Sequence, residues 1–175
     1  EPADAGELGE LPDGWAWVLL EQLGENRLGK MLDVQKNHGE KRKYLGNINV
    51  RWFAFDIHDS KTIKMDDKEF IEFSLQKGDL LICEGGEPGR CAVWDNERPD
   101  YTFQKALHRF RSIQACLPKY IAIYIKVFTN KPMFLLYLSG TTIKHLTGQS
   151  IIQIPVSLPS LPEQAEIVRR VDELF

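Results

Sequence analysis

The chain has 175 residues, 43% of them hydrophobic, and a formal net charge of −3. That length predicts a single domain able to bury about two-thirds of its unfolded surface without disulfide support. Three cysteines without a C-x-x-C pattern read as small buried residues in a reducing, cytoplasmic setting, and no apolar run approaches the ~20 residues of a membrane span, so a soluble protein without a membrane partner is expected.

Taken in chain order, Glu1–Glu10 is an acidic, glycine-containing stretch that reads as a linker or tail, and Trp15–Leu20 reads as a first strand. Gln35–Lys43 is a polar loop, and Tyr44–Val50 and Arg51–Ile57 read as strands. Asp66 can cap a short helix through Phe73, with Glu69 at the reciprocal position of a capping box. Asp79–Cys83 and Arg90–Trp94 predict a hairpin around Glu84-Gly85-Gly86-Glu87-Pro88-Gly89, whose glycines and proline supply turn dihedrals. Leu107–Ser112 alternates as a further strand. Pro118 opens a helix carrying Tyr120–Phe128, and Pro132 opens another, Met133–Leu138, ended by Ser139-Gly140.

An apolar run, Ile151, Ile152, Ile154, Val156 and Leu158, carries Pro155 and closes at Pro159, the mark of an edge strand or extended segment. Ser160, Pro162 and Glu163 then fit a second capping box. Ile167, Val171 and Leu174 recur at spacings of four and three, the seam of a helix that packs on another helix; packing on its own domain is the open alternative. Strands first and helices later predict an α+β domain: a twisted, largely antiparallel β-sheet with helices to one side and a C-terminal helix projecting away.

The residues for catalysis are missing. No glycine-rich loop for S-adenosylmethionine occurs, nor the Asn-Pro-Pro-aromatic or Asp-Pro-Pro-aromatic motif that holds a flipped base. Pro99-Asp100 lacks the acid-x-lysine that would complete a nuclease motif. Gly85–Arg90 lacks the Gly-Lys-Ser/Thr of a phosphate-cradling loop, and the four histidines show no metal-ligand spacing. No catalytic residue, metal site or cofactor is expected in this chain.

Charge, by contrast, is sharply segregated. Residues 1–34 hold eight acids and two bases, whereas residues 101–153 hold seven bases and no acid. A second cluster, Lys36 to Arg51, carries Lys36, Lys41, Arg42, Lys43 and Arg51 against Glu40 alone. Each cluster is either a solvated face or a surface that phosphates can approach without like-charge repulsion, where counterion release supplies affinity. Asn37, Asn47 and Asn49 sit among these cations, and asparagine can read adenine as arginine can read guanine. Bonding to neighbouring backbone is the alternative for Asn47 and Asn49. The loop Gly140–Ser150 offers Thr141, Thr142, Lys144 and His145 for close approach to phosphate, or is a plain connection.

Four blocks in order carry a family resemblance: Leu11-Pro12-Asp13-Gly14-Trp15; Tyr44-Leu45-Gly46-Asn47-Ile48-Asn49-Val50; Lys77-Gly78-Asp79-Leu80-Leu81-Ile82 with Gly89-Arg90-Cys91-Ala92-Val93; and the end, Leu158-Pro159-Ser160-Leu161-Pro162-Glu163-Gln164. Together they resemble a target recognition domain in the DNA specificity subunit of type I restriction-modification systems, and Gln104-Lys105 resembles a position ahead of one of its core strands. The resemblance implies a non-catalytic domain that binds one half of a split double-stranded DNA target. It also implies a parent chain with a second recognition domain, methyltransferase subunits that bring S-adenosylmethionine, and a restriction subunit joined through the complex. Residues 11–159 would be the recognition domain and 160–175 the start of a coiled-coil spacer helix, with Ile167, Val171 and Leu174 facing the other spacer helix. The linker-like start suits a second recognition domain. The DNA-contact candidates are Lys36, Asn37, Lys41, Arg42, Lys43, Asn47, Asn49, Arg51, Arg90, Gln104, Lys105, Thr141, Thr142, Lys144 and His145. Two other readings stay open: the recognition lobe of a fused restriction-methylation enzyme or methyltransferase, and a protein-interaction module without DNA binding.

Overall fold

The computed structural model describes residues 8–33, 35–97 and 100–174; the first seven residues of the linker expected over Glu1–Glu10, Pro99 and the terminal Phe175 lie outside them. Strand β1 (Ala16–Leu19) pairs antiparallel with β11 (Pro155–Leu158), bringing the two ends of the described chain together. A four-stranded antiparallel sheet follows, in the order β2 (Gly24–Leu28), β10 (Leu107–Ser112), β7 (Leu80–Cys83), β8 (Cys91–Val93). A three-stranded sheet sets β3 (Glu40–Leu45) between antiparallel β6 (Lys61–Met65) and parallel β9 (Tyr101–Phe103). Strands β4 (Val50–Arg51) and β5 (Ala54–Phe55) form a separate small hairpin.

The four-stranded sheet lies between two hydrophobic cores. All four residues of β7 are fully buried, and their alternation explains why: Leu80 and Ile82 enter one cluster, Leu81 and Cys83 the other. Helix α2 (Pro118–Phe128) covers the first core with Ile121, Ala122, Ile125 and Phe128, the spacing of one helix face. Phe103, Trp94 and Leu107 fill the second core.

The hairpin at Glu84–Gly89, strand β10, helix α2 and the Asp66 capping box stand as read from the sequence; in that box the Glu69 N–H donates to Asp66 Oδ1 at 2.8 Å and the Asp66 N–H to Glu69 Oε2 at 3.4 Å. Six readings are corrected. The polar stretch at 40–43 is the first part of β3, and the strands expected over 44–57 are interrupted by a 3-10 turn at Asn47–Asn49 and by Phe53, whose φ of 63° reverses the chain between β4 and β5. Ile151 and Ile152 end a short helix, α3 (Gly148–Ile152), because the Thr147 hydroxyl accepts the Ser150 N–H and starts a turn. Pro132–Tyr137 is a 3-10 helix, which stacks Phe134 and Tyr137, three residues apart, on one buried side. Helix α1 (Asp67–Phe73) packs beside β6 and β9 rather than with the other helices, so the helices do not all lie to one side. At the start of α4 (Leu161–Asp172), the Ser160 hydroxyl donates to the Glu163 carboxylate at 3.1 Å instead of accepting its amide.

Helix α4 is anchored to its own domain. Gln164 is 1% exposed; its Oε1 accepts the Leu117 N–H at 2.9 Å, and its Nε2 donates to the carbonyls of Ala115 and Pro159 at 3.2 and 3.0 Å. Ile167 and Val168, both partly buried, pack against the first core, so Ile167 of the expected seam touches its own domain. Leu174, at the other end of that seam, is 76% exposed.

Candidate nucleic-acid interface

Strand directions bring four distant segments to one end of the domain. Because β3 and β9 run parallel, the turn after Leu45 and the turn after Phe103 emerge side by side, and the Gln104 N–H donates to the Leu45 carbonyl at 3.0 Å. The antiparallel β7–β10 pair puts the Glu84–Gly89 loop at the same end, with the Glu84 N–H on the Ala106 carbonyl. Asn47 Nδ2 joins the two by donating to the Gly85 carbonyl at 2.8 Å. The segment 139–146 completes the cluster, as Leu146 N–H donates to the Glu84 carbonyl at 2.7 Å. Only glycine suits position 86: its φ is +73°, and a Cβ there would lie 2.9 Å from Asn47 Nδ2.

The sequence candidates divide by what their polar atoms already bind. Asn47, Arg90, Gln104 and His145 meet at this end, and Lys105, Thr141, Thr142 and Lys144 are exposed beside it. Asn47 Oδ1 is buried and meets no donor among the described residues. Asn49 takes the structural alternative: it is 5% exposed, its Oδ1 accepts the Gly46 N–H and its Nδ2 donates to the Asp56 carbonyl, both at 2.8 Å. Arg90 ties Glu87 at 3.1 Å to the Asn47 carbonyl at 3.0 Å, and Arg51 donates to the Ile48 carbonyl at 2.5 Å, so both guanidiniums stiffen the turns that carry Asn47.

The remaining candidates lie away from that end, on β3 and the segment before it. Lys36 pairs with Asp33 at 3.6 Å, and Asn37 donates to the Met31 carbonyl at 3.4 Å. Arg42 stacks 4.2 Å over the Phe70 ring and pairs with Glu40 and Asp67 at 3.0 and 3.3 Å, which fastens β3 to α1. Lys41 and Lys43 are exposed.

Three residues that did not stand out in the sequence shape the loop end. The Glu84 carboxylate lies between two imidazoles, 3.3 Å from His108 Nε2 and 3.6 Å from His145 Nδ1. His108 is 2% exposed, and burial holds its pKa below the ordinary histidine value against the opposing pull of Glu84. Asn26 Nδ2 lies 3.4 Å from His108 Nδ1; the tautomer that accepts there carries its proton on Nε2, toward Glu84. The carboxylate thus sits between the side chains of β10 and the 139–146 loop, while the backbone bond from the Leu146 N–H to the Glu84 carbonyl joins that loop to the hairpin. Glu84 and His108 lie 24 residues apart, and only strand register joins them.

The family model for the type I restriction modification DNA specificity domain matches residues 12–175. The specificity subunit of the type I restriction enzyme EcoKI from Escherichia coli (strain K12) is 29% identical over 133 residues, which is 73% of this chain and 29% of that protein. Among solved structures, a chain of a type I R-M system superposes with a TM-score of 0.72 at 18% identity, covering 99% of this chain and 40% of its own. The HsdS subunit from Thermoanaerobacter tengcongensis gives 0.68 at 17% identity, covering 95% and 43%. The chain therefore spans well under half the length of these relatives.

Proposed function

The chain belongs to the type I restriction modification DNA specificity domain family, and on that premise we propose that it reads one half of a bipartite double-stranded DNA target. The observation that supports this most directly is the loop end. Four segments meet there, with Asn47, Gln104 and the exposed Lys105 and Lys144 at a surface whose turns are held by internal hydrogen bonds. Such a surface presents donors and acceptors to base edges at little ordering cost, while lysines supply phosphate affinity.

In this reading the domain positions DNA and does no chemistry. Methylation belongs to methyltransferase subunits that carry S-adenosylmethionine, cleavage to a restriction subunit in the same cytoplasmic assembly, and the other half-site to a second recognition domain of the parent chain. No helix among the described residues is long and apolar enough to cross a membrane. Residues 11–159 act as the recognition unit, and the helix from Ser160 begins the spacer, with Val171 and Leu174 the seam residues left to face another helix.

One half-site with a few phosphate contacts gives binding near the nonspecific range, ~10⁻⁴ to 10⁻⁶ M, that weakens steeply with salt. The test is selection from a random duplex pool with the parent subunit and its methyltransferase partner. Enrichment of a split consensus, one half of which is altered or lost on Asn47→Ala or Gln104→Ala, is the expected result. A consensus unchanged by both variants would remove the loop end from recognition, and no enrichment at all would remove DNA reading.

A further inference from the structure

The two faces of β3 use their cations differently. On one, Arg42 is committed to Glu40, Asp67 and the Phe70 ring. On the other, the antiparallel register sets Lys41 directly opposite Lys64 and Lys43 opposite Thr62, so three ammonium groups share one face with Cβ atoms ~5–8 Å apart. Lys41 and Lys64 are exposed, and among the described residues neither has a carboxylate within ion-pair distance. Lys43 rests its ammonium 5.2 Å from the Tyr101 ring centre, which leaves its charge uncompensated by an acid.

Like charges directly opposite each other on a strand pair are destabilising. Protection of a sheet edge accounts for lysine on β6, the outer strand of the order β6-β3-β9. It does not account for Lys41 and Lys43, because β3 is the central strand. A ligand bearing closely spaced negative charges would relieve the repulsion at all three positions.

We propose that this face of the β3–β6 ribbon is a phosphate-docking site, at which Lys41, Lys43 and Lys64 take backbone phosphates of duplex DNA. It rests on the DNA reading above and adds to it a positioning surface distinct from the loop end. Lys41 precedes that end by five residues, ~17 Å of extended strand. This is of the same order as the ~12 Å width of a major groove. The loops can therefore face base edges while the ribbon holds phosphates at the groove's border. Lys64 belongs to the site although the sequence places it outside either basic cluster.

The test is titration of the 175-residue chain with a fluorescent duplex over a range of salt concentrations. Lys41→Gln and Lys64→Gln should each lower the slope of log affinity against log salt by ~0.9 and weaken all duplexes alike. Lys119→Gln, which removes a cation paired with Asp172 beside α4, should leave the slope unchanged. Thermal melts supply a second readout: Lys64→Gln should hold or raise the melting temperature, since it removes repulsion. If both ribbon variants keep the full slope while Lys105→Gln or Lys144→Gln reduces it, the ribbon proposal is overturned and the DNA reading stands. If the unaltered chain shows no salt-dependent duplex binding, the DNA reading falls and takes the ribbon with it. Loss of polyglutamate binding in the ribbon variants, with duplex binding intact, would also overturn the proposal and point to an acidic protein.

Discussion

The loop end and the α2–α4 side of the domain both rely on amide side chains bonded to backbone, yet to different ends. Gln164 is sealed on the inner side of α4 with its hydrogen bonds inside the protein, and Ile167 and Val168 of the same helix pack on the first core. Asn47 donates to Gly85 from a half-buried position among glycine turns, and its Oδ1, itself buried, meets no donor among the described residues. The difference teaches that the bonding of the polar atoms, rather than residue type, separates the two amides: Gln164 is satisfied at both ends, whereas half-buried Asn47 keeps one unmet acceptor at the loop end. Asn47 and Asn49 make the same point two residues apart. The 3-10 turn directs Asn49 inward, where both ends of its amide are satisfied, and leaves Asn47 at the rim.

The comparison breaks most readily on its stable side. Phe110→Ala, in the core beneath α2, should cost ~3–5 kcal/mol in denaturant melts. Gln164→Leu strands the Leu117 N–H and two carbonyls, and should cost ~2–4 kcal/mol. Neither should change the salt slope of DNA binding measured below the melt. If Gln164→Leu left stability intact, α4 would be a passenger on the domain.

On the loop side the ranking inverts. Asn47→Ala should weaken binding to the cognate duplex by ~1–3 kcal/mol at a stability cost of only ~1 kcal/mol, whereas Asn49→Ala should cost stability through its stranded backbone partners. Parallel melts and titrations of the two variants decide it. Equal stability losses with equal binding would erase the distinction between the two asparagines.

What could be read before the structure follows from the same physics. Hairpin β7–β8, strand β10 and helix α2 were legible because burial imposes periodicity, and α1 because its capping box is local in sequence. Strands β2 and β6, with sequences GENRL and KTIKM, were not: each is five residues long with one or two apolar side chains, too few to display a period. For the site, the clustered cations and amides were visible as residue types. Their partners were not, because Arg42 on Phe70, Asn49 on Asp56 and Glu84 between His108 and His145 depend on strand register and on turns of two or three residues.

A pH titration sharpens the boundary between the regions at His108. Its folded pKa lies below the ordinary value of 6.5 because burial disfavours the cation, so the unfolded chain binds the proton more readily. His108 therefore contributes stability that is fully present above pH ~6.5 and is lost as pH falls toward the folded pKa, at up to ~1.4 kcal/mol per pH unit. Melting temperatures between pH 5 and 8 should fall on the acid side for the unaltered chain and fall less for His108→Gln. Identical profiles would mean that Glu84 offsets the burial of the ring in full.

The smallest effect is expected at the end of α4, where one seam divides between the two kinds of surface. Ile167 packs on the core, Val171 is half-buried beside α2, and Leu174 is 76% exposed. Ile167→Ala should therefore lower stability by about 1–2 kcal/mol, less than a fully buried site because part of the side chain is already in contact with water. Leu174→Glu removes almost no buried area and should leave the melt unchanged, while abolishing any concentration-dependent association seen by sedimentation, since an exposed leucine seam gains only by finding another apolar surface. Unfolding caused by Leu174→Glu would place the whole seam in this domain's own core and leave no residue of α4 to face a spacer partner.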